Sequence, residues 1–307
     1  ASLSAEQACA FQKRPNIESI ELDGVVTSDA VSSWGLDRVD QTALPLDQSY
    51  SFTSSGVGVT AYVIDTGILL NHNEFSGRAT WGTNTTGDAQ DTDCNGHGTH
   101  VSGTIGGNTF GIAKSVDLVA VKVLGCNGSG SWSGVIAGIN WVIGNHTTSK
   151  AVANMSLGGS ASSSIDTAIT NLVNDGVVTV VAAGNDGRDA CKSSPARAPK
   201  AITVAASDSA DLLASFSNYG KCVDVIAPGV GITSSVNSSS TASATWSGTS
   251  MASPHVAGVV ARFLQNNAWT TIGSIPSTLF TSNKITLTAA AKTSGTPNKL
   301  IYMAPAN

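Results

Sequence analysis

The chain has 307 residues, 41% of them hydrophobic, enough for one large α/β domain or two smaller ones. Only 12% are charged, about half the usual share, which argues against disorder. A net charge of −5 without any Lys/Arg cluster argues against nucleic acid as a partner, and no run of about 18 apolar residues could span a membrane.

Small and hydroxyl residues replace the charges: Gly alone counts 32, a composition often met in secreted enzymes. The opening stretch, Ala1 to Lys13, has neither the basic start nor the long apolar run of a signal peptide. Residues 3–11 read as a helix, and residues 17–22 alternate like a half-buried strand. A polar segment, residues 27–33, follows them. This first part is either an extension of the main domain or the end of a separate small one.

Apolar runs at residues 59–64, 118–124, 151–155, 177–182, 202–205 and 223–226 read as buried strands. Between them lie helical patterns. Residues 133–143 put Val135, Ile136, Ile139 and Val142 on one face, and residues 165–173 do the same with Ile165, Ile169, Leu172 and Val173. Strands alternating with helices predict an α/β fold with a mostly parallel sheet covered on both faces.

Four residues carry candidate chemistry. Asp65 directly follows an apolar strand, and open α/β sheets build their sites at such strand ends. A carboxylate buried there needs a partner, which a histidine would supply. His97 sits in Asn95-Gly-His-Gly-Thr-His100, where flanking glycines leave the imidazole uncrowded. His100 invites a zinc reading, but no acidic or Cys ligand lies at helical spacing. Asn185 closes Val181-Ala-Ala-Gly-Asn185 and offers an amide donor for a developing oxyanion. Ser250 lies in Ser247-Gly-Thr-Ser-Met-Ala-Ser-Pro-His255, before an apolar run, and is expected at a helix N-terminus with Pro254 in the first turn.

Each has an ordinary explanation alone: a helix cap, a structural histidine, a strand-end carboxylate, a turn amide. Together they supply a nucleophile, a base, an orienting acid and an oxyanion donor, in the chain order Asp, His, Ser. Five cysteines, at 9, 94, 126, 191 and 222, contain no CxxC pair, so disulfides fit better than metal, with one cysteine left over.

These motifs, with Trp34-Gly-Leu-Asp-Arg-Val-Asp-Gln41, Ala153-Asn-Met-Ser-Leu-Gly-Gly159 and Ser215-Phe-Ser-Asn-Tyr-Gly220, resemble the subtilisin-like serine proteases, in particular the proteinase K branch. The resemblance runs from about residue 30 to the end. It implies a secreted endopeptidase of broad specificity, preferring apolar or aromatic side chains before the cut, and acting as a monomer on polypeptides. Gly128, Ser129 and Gly130, with Ser156, Leu157 and Gly158, would clamp substrate as an added strand. Ala182, Ala183 and Gly184 would line the primary pocket. Trp132 would form an aromatic rim further out, unless it is a core aromatic.

The resemblance also implies disulfides Cys94–Cys126 and Cys191–Cys222, leaving Cys9, and an oxidising compartment. Structural calcium is expected at Asp224 with the carbonyls of Pro199 and Ala201. A second calcium is expected at Asp37, Asp40, Gln41, Asp47 and Ser49. Asp88, Asp91 and Asp93 read as solvated loop carboxylates or as a third ion site. Residues 1–29 resemble the end of the family's propeptide, its inhibitor and folding aid, and residues 30–307 the catalytic domain of a zymogen. A catalytically inactive binding module of the same fold is the rival reading. It would be expected to have lost one of the four residues, and none is missing.

Overall fold

The computed structural model describes residues 27–148, 150–267, 279–282 and 285–304, together with Gln7, Ala10 and Arg14. Gln7 and Ala10 are helical, as expected for residues 3–11; the rest of that helix, the strand expected at residues 17–22, and Cys9 lie outside the described residues.

The chain first forms a two-stranded antiparallel ribbon from β1 (Thr27–Ala30) and β2 (Ser49–Phe52), with α1 (Trp34–Val39) between them. Strand β1 runs across the boundary expected at residues 29 and 30, because Thr27 pairs with Phe52 and Ala30 with Ser49.

The central sheet is built from β3 (Thr60–Asp65), β4 (Ala79–Asn84), β5 (Asp117–Lys122), β6 (Ala151–Met155), β8 (Val178–Ala182), β10 (Ile202–Ser207), β11 (Val225–Pro228), β14 (Phe280–Ser282) and β15 (Lys299–Ile301). Its order is β14-β15-β11-β10-β8-β6-β3-β5-β4, and every neighbouring pair is parallel except β14 with β15. The strands expected from apolar runs are all present, with ends shifted by at most two residues. Chain order reverses at β3, whose neighbours are β5 on one side and β6 on the other, so the sheet has its switch point at Asp65.

The apolar runs are continuous because both faces of the sheet are covered. In β3, Ala61 and Val63 enter one core while Tyr62 and Ile64 enter the other. On the first face pack α2 (His97–Gly106) and α5 (Thr249–Asn266), through Val101, Ile105, Val256, Val260 and Leu264. On the second pack α3 (Trp132–Asn145) and α4 (Ser163–Asn174), through Val135, Ile139, Val142, Ile165, Ile169 and Leu172. At about 25 cal/mol per Å² of apolar surface, each fully buried Val, Ile or Leu contributes roughly 1.5–3 kcal/mol.

Smaller pieces complete the fold. Two ribbons, β7 (Gly159–Ser160) with β9 (Ser193–Ser194) and β12 (Ile232–Ser235) with β13 (Ser243–Trp246), lie outside the sheet, and α6 (Ala289–Thr293) follows near the end. Disulfides join Cys94 to Cys126 and Cys191 to Cys222, at Cα separations of 4.9 and 5.3 Å. Each closes a loop of about thirty residues, worth ~3–4 kcal/mol in the chain-entropy account. No helix among the described residues is long and apolar enough to cross a membrane.

Candidate active site

Asp65 ends β3 with its carboxylate fully buried. Its Oδ1 accepts a hydrogen bond from His97 Nδ1 at 2.7 Å and another from the Thr66 amide at 2.7 Å. Its Oδ2 is buried with no partner among the described residues. His97 opens α2 and keeps 25% of its side chain exposed. Burial works against the charged ring, but the charge of Asp65 and its hydrogen bond outweigh that and raise the His97 pKa.

The glycines beside His97 have a different task from the one expected. An added Cβ on Gly98 would collide with the Gly67 carbonyl oxygen, so glycine lets α2 seat against the strand end. Gly96 takes a left-handed φ of 105°. Asp93, expected in solvent or at a third ion, is buried and saturated. It accepts from the Asn95, Gly96 and Thr99 amides at 2.8–2.9 Å, and from the Thr66 and Thr99 hydroxyls at 2.9 and 2.6 Å. Nothing in its turn context marked it as the anchor of the His97 helix. Asp88 and Asp91 are both contacted by Asn84, and Asp88 also pairs with the buried Lys122 at 3.6 Å. The two sulfurs near Asp88 belong to the first disulfide, so this grouping is no metal site.

Ser250 is the second residue of α5, where free amides and the helix dipole favour negative charge. Its hydroxyl donates to the Ser156 carbonyl at 3.1 Å rather than to His97. Catalytic hydrogen bonds commonly form only once substrate is bound. Asn185 Oδ1 accepts from the Thr249 amide and hydroxyl at 2.8 and 2.9 Å, which leaves its amide hydrogens for the cleft. Asn185 Nδ2 and the Ser250 amide lie 3.7 and 3.6 Å from the point a Cβ on Gly248 would occupy, so two donors converge there. Pro254 is not in the first turn: α5 begins at Thr249 and contains it at the sixth position.

Two open grooves meet at Ser156. One of about 450 Å³ is lined by His97, Gly128, Ser129, Gly130, Trp132, Leu157 and Gly158. The other, about 490 Å³, is lined by Ala182, Ala183, Gly184, Asn185, Ser156 and Ser250. Trp132, expected either at a substrate rim or in the core, lines the first groove and also packs against the second core. Gly184, at φ 100°, is held by Asn218, which donates to the Ala183 carbonyl at 2.8 Å and accepts from the Asp186 amide at 3.1 Å.

His100, on α2, packs inside the fold. It stacks on Trp246 at 4.6 Å, contacts the Ala244 carbonyl at 3.2 Å, and burial pushes its pKa down to about 4. The residues expected to hold the second cation share one loop through hydrogen bonds, but the carboxylates of Asp37, Asp40 and Asp47 do not all lie within 4.8 Å of one another. Asp37 accepts from the Asp47 and Gln48 amides, Gln41 Oε1 from the Asp47 amide, and Asp47 from the Ser49 amide and hydroxyl. Burial, then the charges of Asp47 and Asp37, push Asp40 up to about 6 against the pull of the Ser51 amide. Asp224 exchanges two hydrogen bonds with Thr203: its carboxylate accepts from the Thr203 amide at 2.8 Å, and its amide donates to the Thr203 carbonyl at 2.9 Å.

Asp65 thus stands at a strand end, and His97 and Ser250 at helix starts, of one mostly parallel α/β sheet. The profile of the Subtilase family matches residues 56–300, and the chain belongs to that family. It is similar to an extracellular serine proteinase of a Thermus species, 57% identical over 266 residues, 85% of this chain and 64% of that protein. An alkaline serine exoprotease A of Vibrio alginolyticus is 47% identical over 312 residues, 98% of this chain and 58% of its own length. The chain thus spans less than two thirds of both relatives. The crystal structure of a cold adapted subtilisin-like serine proteinase superposes with a TM-score of 0.83 at 48% identity, covering 89% of this chain and 98% of that one.

Proposed function

We propose that the chain is a secreted serine endopeptidase that cleaves polypeptides through Asp65, His97 and Ser250, with Asn185 holding the oxyanion. The observation that carries this reading is the 2.7 Å bond from His97 Nδ1 to a buried Asp65, with His97 lining one groove and Ser250 and Asn185 lining the groove that meets it at Ser156.

The Ser250 hydroxyl leaves the Ser156 carbonyl and gives its proton to His97 as it attacks the scissile carbonyl. Asp65 fixes the imidazole tautomer and favours the imidazolium. The oxyanion is held by Asn185 Nδ2 and the Ser250 amide. His97 then protonates the leaving amine, and water repeats the sequence on the acyl-enzyme. Gly128 to Gly130 and Ser156 to Gly158 hold substrate as an added strand. Ala182, Ala183 and Gly184 give the primary pocket small apolar walls, which favours apolar or aromatic side chains.

The other parts of the proposal follow the same family reading. Residues 1–29 are the end of an inhibitory propeptide. Calcium is held by the Asp37 to Ser49 set and by Asp224, Pro199 and Ala201; when bound it supplies structural stability and takes no part in the reaction. Two disulfides and the extracellular Thermus relative support secretion. Digestion of a peptide library, read by mass spectrometry, tests the activity. Cuts after apolar and aromatic residues, lost in Ser250→Ala, are expected. No cuts by the parent chain would favour the inactive binding module.

A further inference from the structure

Helix α5 carries a proline where a backbone donor is needed. In an α-helix the amide of residue i+4 donates to the carbonyl of residue i. Pro254 has no N–H, so the carbonyl it leaves without a helical donor is that of Ser250. A carbonyl left unpaired in a closed site is costly, so the question is what serves it.

The Ser156 hydroxyl serves it, donating to the Ser250 carbonyl at 2.8 Å. The return bond runs from the Ser250 hydroxyl to the Ser156 carbonyl at 3.1 Å. The Ser156 hydroxyl is itself aimed. Its oxygen accepts from Asn154 Nδ2 at 2.9 Å, which leaves its single proton for Ser250. Asn154, 1% exposed in β6, is fixed in turn by the Ser253 hydroxyl, which donates to its Oδ1 at 2.7 Å. Three hydrogen bonds therefore tie the end of β6 to the start of α5, and the fourth, from Asn154 to Ser156, aims one of them.

We propose that Ser156 is a positioning residue for the nucleophile: its hydroxyl supplies the hydrogen bond that Pro254 withholds from Ser250, and so sets the turn from which the Ser250 hydroxyl and amide reach substrate. This rests on the reading of Ser250 as the nucleophile. It is separate from the substrate clamp, which uses only the backbone of Ser156. Small displacements of a reacting group cost rate steeply, so the hydrogen bond acts on the chemical step.

The test is a double-mutant cycle of Ser156→Ala and Pro254→Ala, read by kcat and KM on a small peptide ester and by the rate of Ser250 sulfonylation. Ser156→Ala is expected to lower kcat about tenfold, with KM within about twofold because the clamping backbone is kept. In the Pro254→Ala background the new amide at position 254 can serve the Ser250 carbonyl. There Ser156→Ala is expected to cost less than about twofold. Equal losses in both backgrounds, or no loss in the parent, would overturn the proposal. Should Ser156→Ala fail to fold, folded protein recovered in the double variant supports the proposal, and none recovered overturns it. A parent chain inert to the sulfonyl fluoride overturns the function and this inference together; a reactive parent with additive losses overturns this inference alone.

Discussion

Thr66 and Asp93 are joined by a hydrogen bond of 2.9 Å, from the Thr66 hydroxyl to Asp93 Oδ1. The same hydroxyl accepts from the Gly98 amide at 2.9 Å. Thr66 follows Asp65 in the chain, and Gly98 follows His97. The bond therefore locks the carboxylate and the imidazole into register from behind, without touching either.

Asp93→Ala should leave the buried amides of Gly96 and Thr99, and the partly buried amide of Asn95, without an acceptor. A loss of about 2–3 kcal/mol in stability is expected, at ~1–3 kcal/mol for each donor left unpaired and with partial relaxation. Urea unfolding checks it, and Thr66→Val, which keeps the shape, should cost less than Asp93→Ala.

The raised pKa of His97 fixes the pH dependence. Activity needs the neutral ring, so kcat/KM should rise with pH through a midpoint above 6.5, the ordinary histidine value. Stability runs the other way. The folded state holds this proton more tightly than the unfolded chain. The pair's contribution is therefore full below 6.5 and fades as pH rises through the raised value. Asp65→Asn should remove the upward shift and lower kcat by about 10⁴. A pH–rate profile of parent and variant is the measurement.

Asn185→Leu should reduce kcat by about 10²–10³ with little change in KM, because the amide is needed only once the oxyanion forms. That range was established on a member of this same family, so it is a transferred value. Steady-state kinetics on one peptide substrate decides it. An increase in KM alone would show that Asn185 binds ground-state substrate instead.

Chelation should destabilise the folded chain. A ligand at a hundred times its dissociation constant contributes about 2.7 kcal/mol, and for a domain of this size each kcal/mol moves the melting point by roughly 2–4 °C. Excess chelator should therefore lower the melting point by about 5–10 °C, and calcium but not sodium should restore it. Asp40→Asn should shrink the calcium response, as scanning calorimetry would show.

The strands and the candidate site were legible for a shared reason. Asp65 and Asn185 each close an apolar run buried on both faces of a parallel sheet, while His97 and Ser250 each open a helix of small residues. Strand β4 escaped because it lies at a sheet edge with a polar run and an irregular register at Trp81 and Thr83. The β12–β13 ribbon is equally polar. Asp93, Asn154 and Asn218 escaped for another reason. Asp93 and Asn218 serve backbone amides and carbonyls brought near by the fold, Asn154 serves the hydroxyls of Ser156 and Ser253, and a local sequence does not show which groups will need a partner. Pro254 was read as a first-turn residue because residues 247–255 do not mark where the helix begins; with Thr249 first, its missing donor has a consequence.

The most direct measurement is mass spectrometry of the chain after reaction with a phenylmethyl sulfonyl fluoride. One adduct is predicted, on Ser250, formed by the native chain and abolished both by His97→Ala and by unfolding in urea. An adduct on any other residue, or unchanged labelling of Ser250 without His97, would contradict the account.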